Sequence, residues 1–475
     1  MSQLDDLLLP LLLPAVTGDG LTPWLREGLA AGLPGVLVLP GAVPGGRADV
    51  AALTAELHGT AEGLLVAADE EGGDVTLLDH RDGSAYPGSL ALGAADDLEL
   101  TARTAAAMAE DLAAVGITYN LAPSLDVNSD PRNPIIGVRA FGDDPQRVAA
   151  HGAAFVTAVQ ARGVAVAAKH FPGHGATVED SHHTLPVVQV DEATFRAREL
   201  APFAAAVAAG VRSLMTAHVL FPQIDPDAPA SLSSRVLRGL LREELGFGGV
   251  VLGTAVAMAS AAGPAAMAGA AVRSLAAGTD LLLLGAADPR ALYPVLADAV
   301  GAALRDGTLD EETLARAGAR VAELRAWSLA ARRSPGRLAA ARAVRAEGEV
   351  ALPAPAVVVE LREDGPGSGP EWSLAEPLAA LGLLADRIPV GPDGPAPGQV
   401  LGPVGGTPLV LAVRDAYRHP WQREWVDRAL ALRSDAVLVA VGMPDDLGLT
   451  RGAAVAAYGA GRVNTEAAAA LLAGR

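Results

Sequence analysis

The sequence predicts an α/β protein: a (β/α)₈-type barrel followed by a smaller α/β unit. Short, unbroken apolar runs recur over roughly the first 330 residues, as the buried strands of a parallel sheet do. Helical stretches separate them, which is how consecutive parallel strands are joined. The unusual polar residues, Asp69, Lys169 with His170, and His218, fall at the C-terminal ends of these runs. In a barrel that end carries the active site.

The elements follow in order. The opening MSQLDDLLLPLLLPAVTGDG reads as a first core helix or loop. It lacks a basic leader, carries Asp5 and Asp6 ahead of its apolar run, and is broken by Pro10 and Pro14. It therefore fails as a signal peptide and is too short to span a bilayer. Strands are expected at Gly35–Leu39, Leu64–Asp69, Ile117–Pro123, Val164–His170, Arg212–His218, Gly249–Thr254 and Asp280–Gly285. Helices are expected between them, for example over Asp97–Gly116 and around Asp191–Gly210.

The barrel is assigned residues 1–335. An Arg/Ala/Pro-rich stretch at 336–355 reads as a linker, and 356–475 as the second unit. That unit has strands at Ala356–Leu361, Pro408–Val413 and Ala436–Gly442. Trp421 and Trp425, four residues apart, read as a helix's packing face rather than a sugar platform.

Composition bounds the function. The chain is 51% hydrophobic with 4% aromatics, enough for a large core and unlike a disordered chain. A net charge of −19 argues against binding nucleic acid or an anionic membrane. Without cysteine there is no disulfide, thiolate metal site or cysteine nucleophile. The expected location is cytoplasmic; oligomeric state is not readable.

The densest chemistry lies in KHFPGHGATVEDSHHTLP, Lys169–Pro186, which holds the chain's one lysine and four of its nine histidines. Asp180 stands two residues before His182, close enough to hold an imidazole in one tautomer and favour its protonated form. That makes a candidate general acid/base; the competing reading is a helix cap with His182 incidental. Lys169 and His170 end a strand, where they are suited to binding hydroxyls or a carbonyl. A metal is not expected, because His170 and His174, though four residues apart, stand in a Gly/Pro loop rather than on a helix, and Lys169 repels a cation. Asp69 precedes a Gly-Gly turn and serves either a site or the turn. Arg139 either clamps a polar ligand or pairs with Asp143.

Taken together, DEEGG, NLAPSLDVNSDPRNPIIGVRAFG, the Lys169–Pro186 segment, MTAHVLFPQID and GLLREELGFGGVV resemble glycoside hydrolase family 3, in its bacterial β-N-acetylglucosaminidase branch. The resemblance covers Leu11 to Gly285, and the second unit more loosely. It implies a TIM-like barrel, then an α/β sandwich. It also implies retaining hydrolysis of β-linked N-acetylglucosamine, often from muropeptides in cell-wall recycling, with no cofactor or metal. His182 with Asp180 would be the acid/base, and Asp69, Arg139, Lys169, His170 and His218 would line the sugar pocket.

Departures accompany these matches. Where the family keeps an aspartate nucleophile, this chain has Thr254, in register with the strand before it and Met258 after it. Ala176 and Asp74 replace a common acidic residue and a common arginine. A threonine hydroxyl is a weak nucleophile without an adjacent base and carries no charge for an oxocarbenium-like transition state. The expected loss is about 10⁴-fold or more in turnover. Three functions follow: hydrolysis by another route, such as attack by the substrate's own N-acetyl group; a pseudoenzyme that binds the sugar without turnover; or a redirected transferase or lyase using Asp180 and His182.

Overall fold

The computed structural model describes residues 3–179, 185–332, 340–362 and 373–474. Two compact units divide the chain, Met1–Arg332 and Arg333–Arg475.

The first unit is built on strands β1 (Leu12–Leu13), β2 (Ala15–Val16), β3 (Gly35–Val38), β4 (Leu65–Ala68), β5 (Tyr119–Asn120), β6 (Ala165–Phe171), β7 (Ser213–Thr216), β8 (Val250–Gly253) and β9 (Leu281–Leu283). Each pairs in parallel with its neighbours in the order β1-β9-β8-β7-β6-β5-β4-β3-β2. The two ends of that order are pieces of one pass on either side of Pro14. Leu12 and Leu13 register with Leu282 and Leu283, while Ala15 and Val16 register with Leu37 and Val38. The sheet thus closes into a barrel, and the Pro14 carbonyl still accepts from Leu37 N.

This corrects the expectation for the N-terminus. Gln3–Leu8 is helical and Leu9–Leu11 a 3₁₀ turn, but the residues after them supply the closing strand. Two prolines hide a strand from pattern reading, because proline cannot donate to a ladder. In a barrel strand one donor can be lost where the flanking residues still pair.

Alternation sorts the barrel's apolar residues into two layers. Leu65 and Ala67, with Tyr119, Ala165, Ala167, Val250, Leu252 and Leu281, fill the interior. Val66 and Ala68 face outward into the larger core between sheet and helices. Helices Arg47–Thr60, Leu98–Ala114, Pro145–Gln160 and Pro264–Ala277 lie between successive strands, and Pro289–Asp306 follows β9. Val321 and Leu324 of helix Glu311–Arg332 join the interior cluster. No helix of the described residues is long and apolar enough to cross a membrane.

The second unit carries a mixed sheet in the order β10-β15-β14-β13-β11-β12. Its strands are β10 (Arg345–Glu347), β11 (Ala356–Leu361), β12 (Leu384–Val390), β13 (Leu409–Val413), β14 (Val437–Ala440) and β15 (Ala454–Ala456). All pair in parallel except β10, which runs antiparallel to β15. So the stretch read as a linker, 336–355, contributes an edge strand. Its sequence, RAE, is fully exposed and carries no apolar signal. Apolar clusters on both sheet faces make the α/β sandwich. Trp425 is buried in helix Pro420–Leu432 and donates to the Pro395 carbonyl at 3.0 Å, and Trp421 packs on the same cluster.

Candidate functional site

The polar residues singled out in the first unit gather where the barrel strands end. Asp69 directly follows β4, Lys169 and His170 lie in the last turn of β6, His218 follows β7, and Thr254 follows β8. A bulge explains why two consecutive residues of β6 both serve the mouth. Ala168 pairs with Leu214 but Phe171 with Thr216, so Lys169 and His170 together stand opposite Met215. Such an extra residue re-aims side chains beside active sites. On the other side, Lys169 N donates to Pro123 O at 3.0 Å and its own carbonyl accepts from Leu125 N.

Lys169 is almost wholly buried, at 2% exposure, and its Nζ lies 2.5 Å from Asp69 Oδ1 and 2.7 Å from Glu71 Oε1. Arg139, in the 3₁₀ turn Gly137–Arg139, grips the same glutamate with both arms: Nη2 to Oε1 at 2.7 Å and Nε to Oε2 at 2.9 Å. Two cations and two carboxylates thus form one charge-matched cluster. Burial alone would raise the Glu71 carboxyl, but Lys169 and Arg139 outweigh it and hold it at about 2. Burial likewise works against the Lys169 charge, and Asp69 with Glu71 keeps the ammonium above its usual value.

Glu71 was not anticipated as a site residue, and Arg139 takes it rather than a ligand alone or Asp143. The adjacent acid has a different task. Glu70 is fully buried, and its Oε2 accepts from Thr76 Oγ1, Leu77 N and Leu78 N, at 2.9 to 3.0 Å. It therefore shapes the loop after β4. That loop walls a cavity of about 450 Å³ at the ends of β3 and β4, lined by Leu39, Asp69, Asp74, Thr76 and His80 among others. The exposed part of Asp69 faces this space.

A second anchor is Asp126, also missed from sequence. It is fully buried, and its Oδ2 accepts from His170 Nδ1 at 2.7 Å and from Ser124 Oγ at 2.9 Å. Its Oδ1 accepts from the His174 backbone N–H at 2.6 Å. Burial would raise this carboxyl, but His170 leads the groups that hold it at about 2. The PGHG turn lies flat on the same segment: a Cβ on Gly175 would stand 1.9 Å from the Val127 carbonyl oxygen, so only glycine fits. Asn133 Nδ2 adds a bond to His174 O at 2.8 Å.

His218 is held through Nδ1 by Ser231 Oγ at 2.7 Å. Thr254 is 8% exposed. Its hydroxyl donates to the Thr216 carbonyl at 3.0 Å, and its N–H donates to Thr216 Oγ1 at 3.2 Å. Asp180 and His182 lie outside the described residues. Among the described residues no group of His, Asp or Glu is arranged to hold a metal ion.

Acid should destabilise the fold from an unusually high pH. Burial, helped by His170, pushes His174 down from 6.5 to about 4. The unfolded chain takes up this proton near pH 6.5, while the folded chain refuses it until about 4. Stability is therefore lost as pH falls through that window, by roughly 3 kcal/mol in all. Glu71 and Asp126, held near 2, add further loss below pH 4.5. Urea midpoints between pH 7.5 and 4 check this. They should decline steadily in the wild type and much less in His174→Gln, and an unchanged wild-type midpoint down to pH 4.5 would refute it.

A parallel barrel whose charged cluster sits at the strand ends carries its polar residues where (β/α)₈ enzymes place their active sites. The glycosyl hydrolase family 3 N-terminal domain matches residues 48–324, and the chain belongs to that family. It is 34% identical over 330 residues to beta-hexosaminidase A of Pseudoalteromonas piscicida, covering 64% of this chain and 54% of that one. It is 39% identical over 268 residues to a beta-hexosaminidase of Xylella fastidiosa strain 9a5c, covering 55% and 78%. The chain thus spans about half the length of the first of these relatives. Among solved structures, a family 3 β-N-acetylglucosaminidase from Paenibacillus sp. str. FPU-7 superposes with a TM-score of 0.63 at 30% identity, covering 100% of this chain and 97% of the other.

Proposed function

We propose that this chain recognises a terminal β-linked N-acetylglucosamine at the barrel mouth and is a glycosidase with impaired turnover. Recognition is supported by the Asp69–Glu71–Arg139–Lys169 cluster, preorganised beside an open cavity, and by relatives named for this activity. His182, oriented by Asp180, would protonate the leaving group, and His170 and His218 would contact the sugar. Muropeptide fragments in cell-wall recycling are the proposed natural substrate class.

The observation that carries the impairment is the Thr254 hydroxyl. It gives its proton to a backbone carbonyl, and no carboxylate or imidazole of the described residues bonds to it. Among the described residues nothing removes its proton, which is how an unactivated hydroxyl is placed. The same geometry favours a second reading, a binder without turnover. The test is calorimetric binding of N-acetylglucosamine together with hydrolysis of a chromogenic N-acetyl-β-glucosaminide. Binding with turnover at least about 10³-fold below that of an aspartate-bearing relative is expected. Binding with zero turnover selects the second reading, and absence of binding overturns both.

A further inference from the structure

Asp126 is fully buried, yet it holds the histidine at the C-terminal end of β6. Its carboxylate is buried and ionised, so both of its oxygens act only as acceptors. Ser124 Oγ–H and the His174 N–H already donate to it. The His170 backbone N–H also donates to it, at 3.4 Å, and the further contact, 2.7 Å to His170 Nδ1, is satisfied only if that nitrogen carries the hydrogen. The other ring nitrogen, Nε2, has no hydrogen-bond partner among the described residues, while the side chain keeps 15% exposure. Burial pulls His170 toward its neutral form despite the neighbouring carboxylate. A neutral ring with hydrogen on Nδ1 presents a lone pair at Nε2.

We propose that Asp126 is a positioning residue that locks His170 in the Nδ1–H tautomer, so that Nε2 accepts a hydrogen bond from a ligand hydroxyl at the barrel mouth. The ligand must then offer a donor there, and an acceptor-only group of the same size is rejected. This rests on the sugar-binding reading above for the ligand, but not for the tautomer.

The substitution that exposes the lock is Asp126→Asn. An asparagine carbonyl still accepts from the His174 N–H, while its NH₂ group now faces His170 Nδ1. That nitrogen must become the acceptor, which moves the ring hydrogen to Nε2 and inverts what the mouth presents.

Nitrogen-15 NMR of histidine-labelled full-length protein at pH 7.5 reads the tautomer directly, without ligand. His170→Gln identifies the resonance. The Nδ1–H form is expected in the wild type and the Nε2–H form in Asp126→Asn. An Nε2–H wild type overturns the proposal even if the variant fails to fold. Calorimetry with N-acetylglucosamine and its monodeoxy and monofluoro analogues at positions 3, 4 and 6 then reads the consequence. At one position the wild type should lose about 10-fold with deoxy and fluoro alike. Asp126→Asn should recover the fluoro compound relative to the deoxy one. A wild type that binds fluoro and hydroxyl sugars equally at every position overturns the donor requirement. If N-acetylglucosamine itself does not bind, the sugar-binding reading fails while the tautomer result stands.

Discussion

Replacing Thr254 with aspartate is expected to raise hydrolysis of a chromogenic N-acetyl-β-glucosaminide by about 10³-fold or more. The Thr216 hydroxyl lies 3.3 Å from the Thr254 hydroxyl and can turn its hydrogen toward a carboxylate placed there. An aspartate has no proton for the Thr216 carbonyl that now binds the threonine hydroxyl, and that carbonyl repels it. The carboxylate therefore turns toward the mouth, where it supplies the charge and lone pair that threonine lacks. The gain must vanish when His182→Ala is added, since protonating the leaving group is a separate requirement. A folded Thr254→Asp protein with unchanged turnover would mean that more than the nucleophile has been lost. A wild type already as fast as the variant would point to attack by the substrate's own N-acetyl group.

The second large effect concerns Lys169. Lys169→Met removes one of two cations from a cluster containing two carboxylates and leaves Glu71, with 2% of its side chain exposed, sharing its charge with Arg139 alone. Breaking a buried ion cluster in this way costs about 3–5 kcal/mol, because the uncompensated charge stays desolvated. Sugar binding should be lost with it, since Asp69 loses the partner that fixes its carboxylate. Lys169→Met combined with Glu71→Gln restores charge balance and should regain part of the stability but not the binding. Urea denaturation and calorimetry on the two single variants and the double variant give the coupling directly. Additive losses would show that the cluster does not act as a unit.

Much of this was legible from the chain. Continuous apolar runs ending in Asp69, Lys169–His170 and His218 mark barrel strands and their C-terminal ends, because parallel strands are buried on both faces and their polar residues survive only where the sheet stops. The lone lysine marked the centre of the cluster, and the strand register marked Thr254. Glu71 and Asp126 were invisible for a shared reason. What sets each apart is a partner far along the chain: Lys169 and Arg139 for the one, His170 for the other. The closing strand around Pro14 was hidden likewise, since its pairing runs to Leu282 and Leu37. Local sequence determines which residues prefer a strand end or a tight turn, through burial and backbone freedom. Only the closed barrel decides which carboxylate meets which cation, because desolvation makes each such pairing obligatory once the chain has brought the two together.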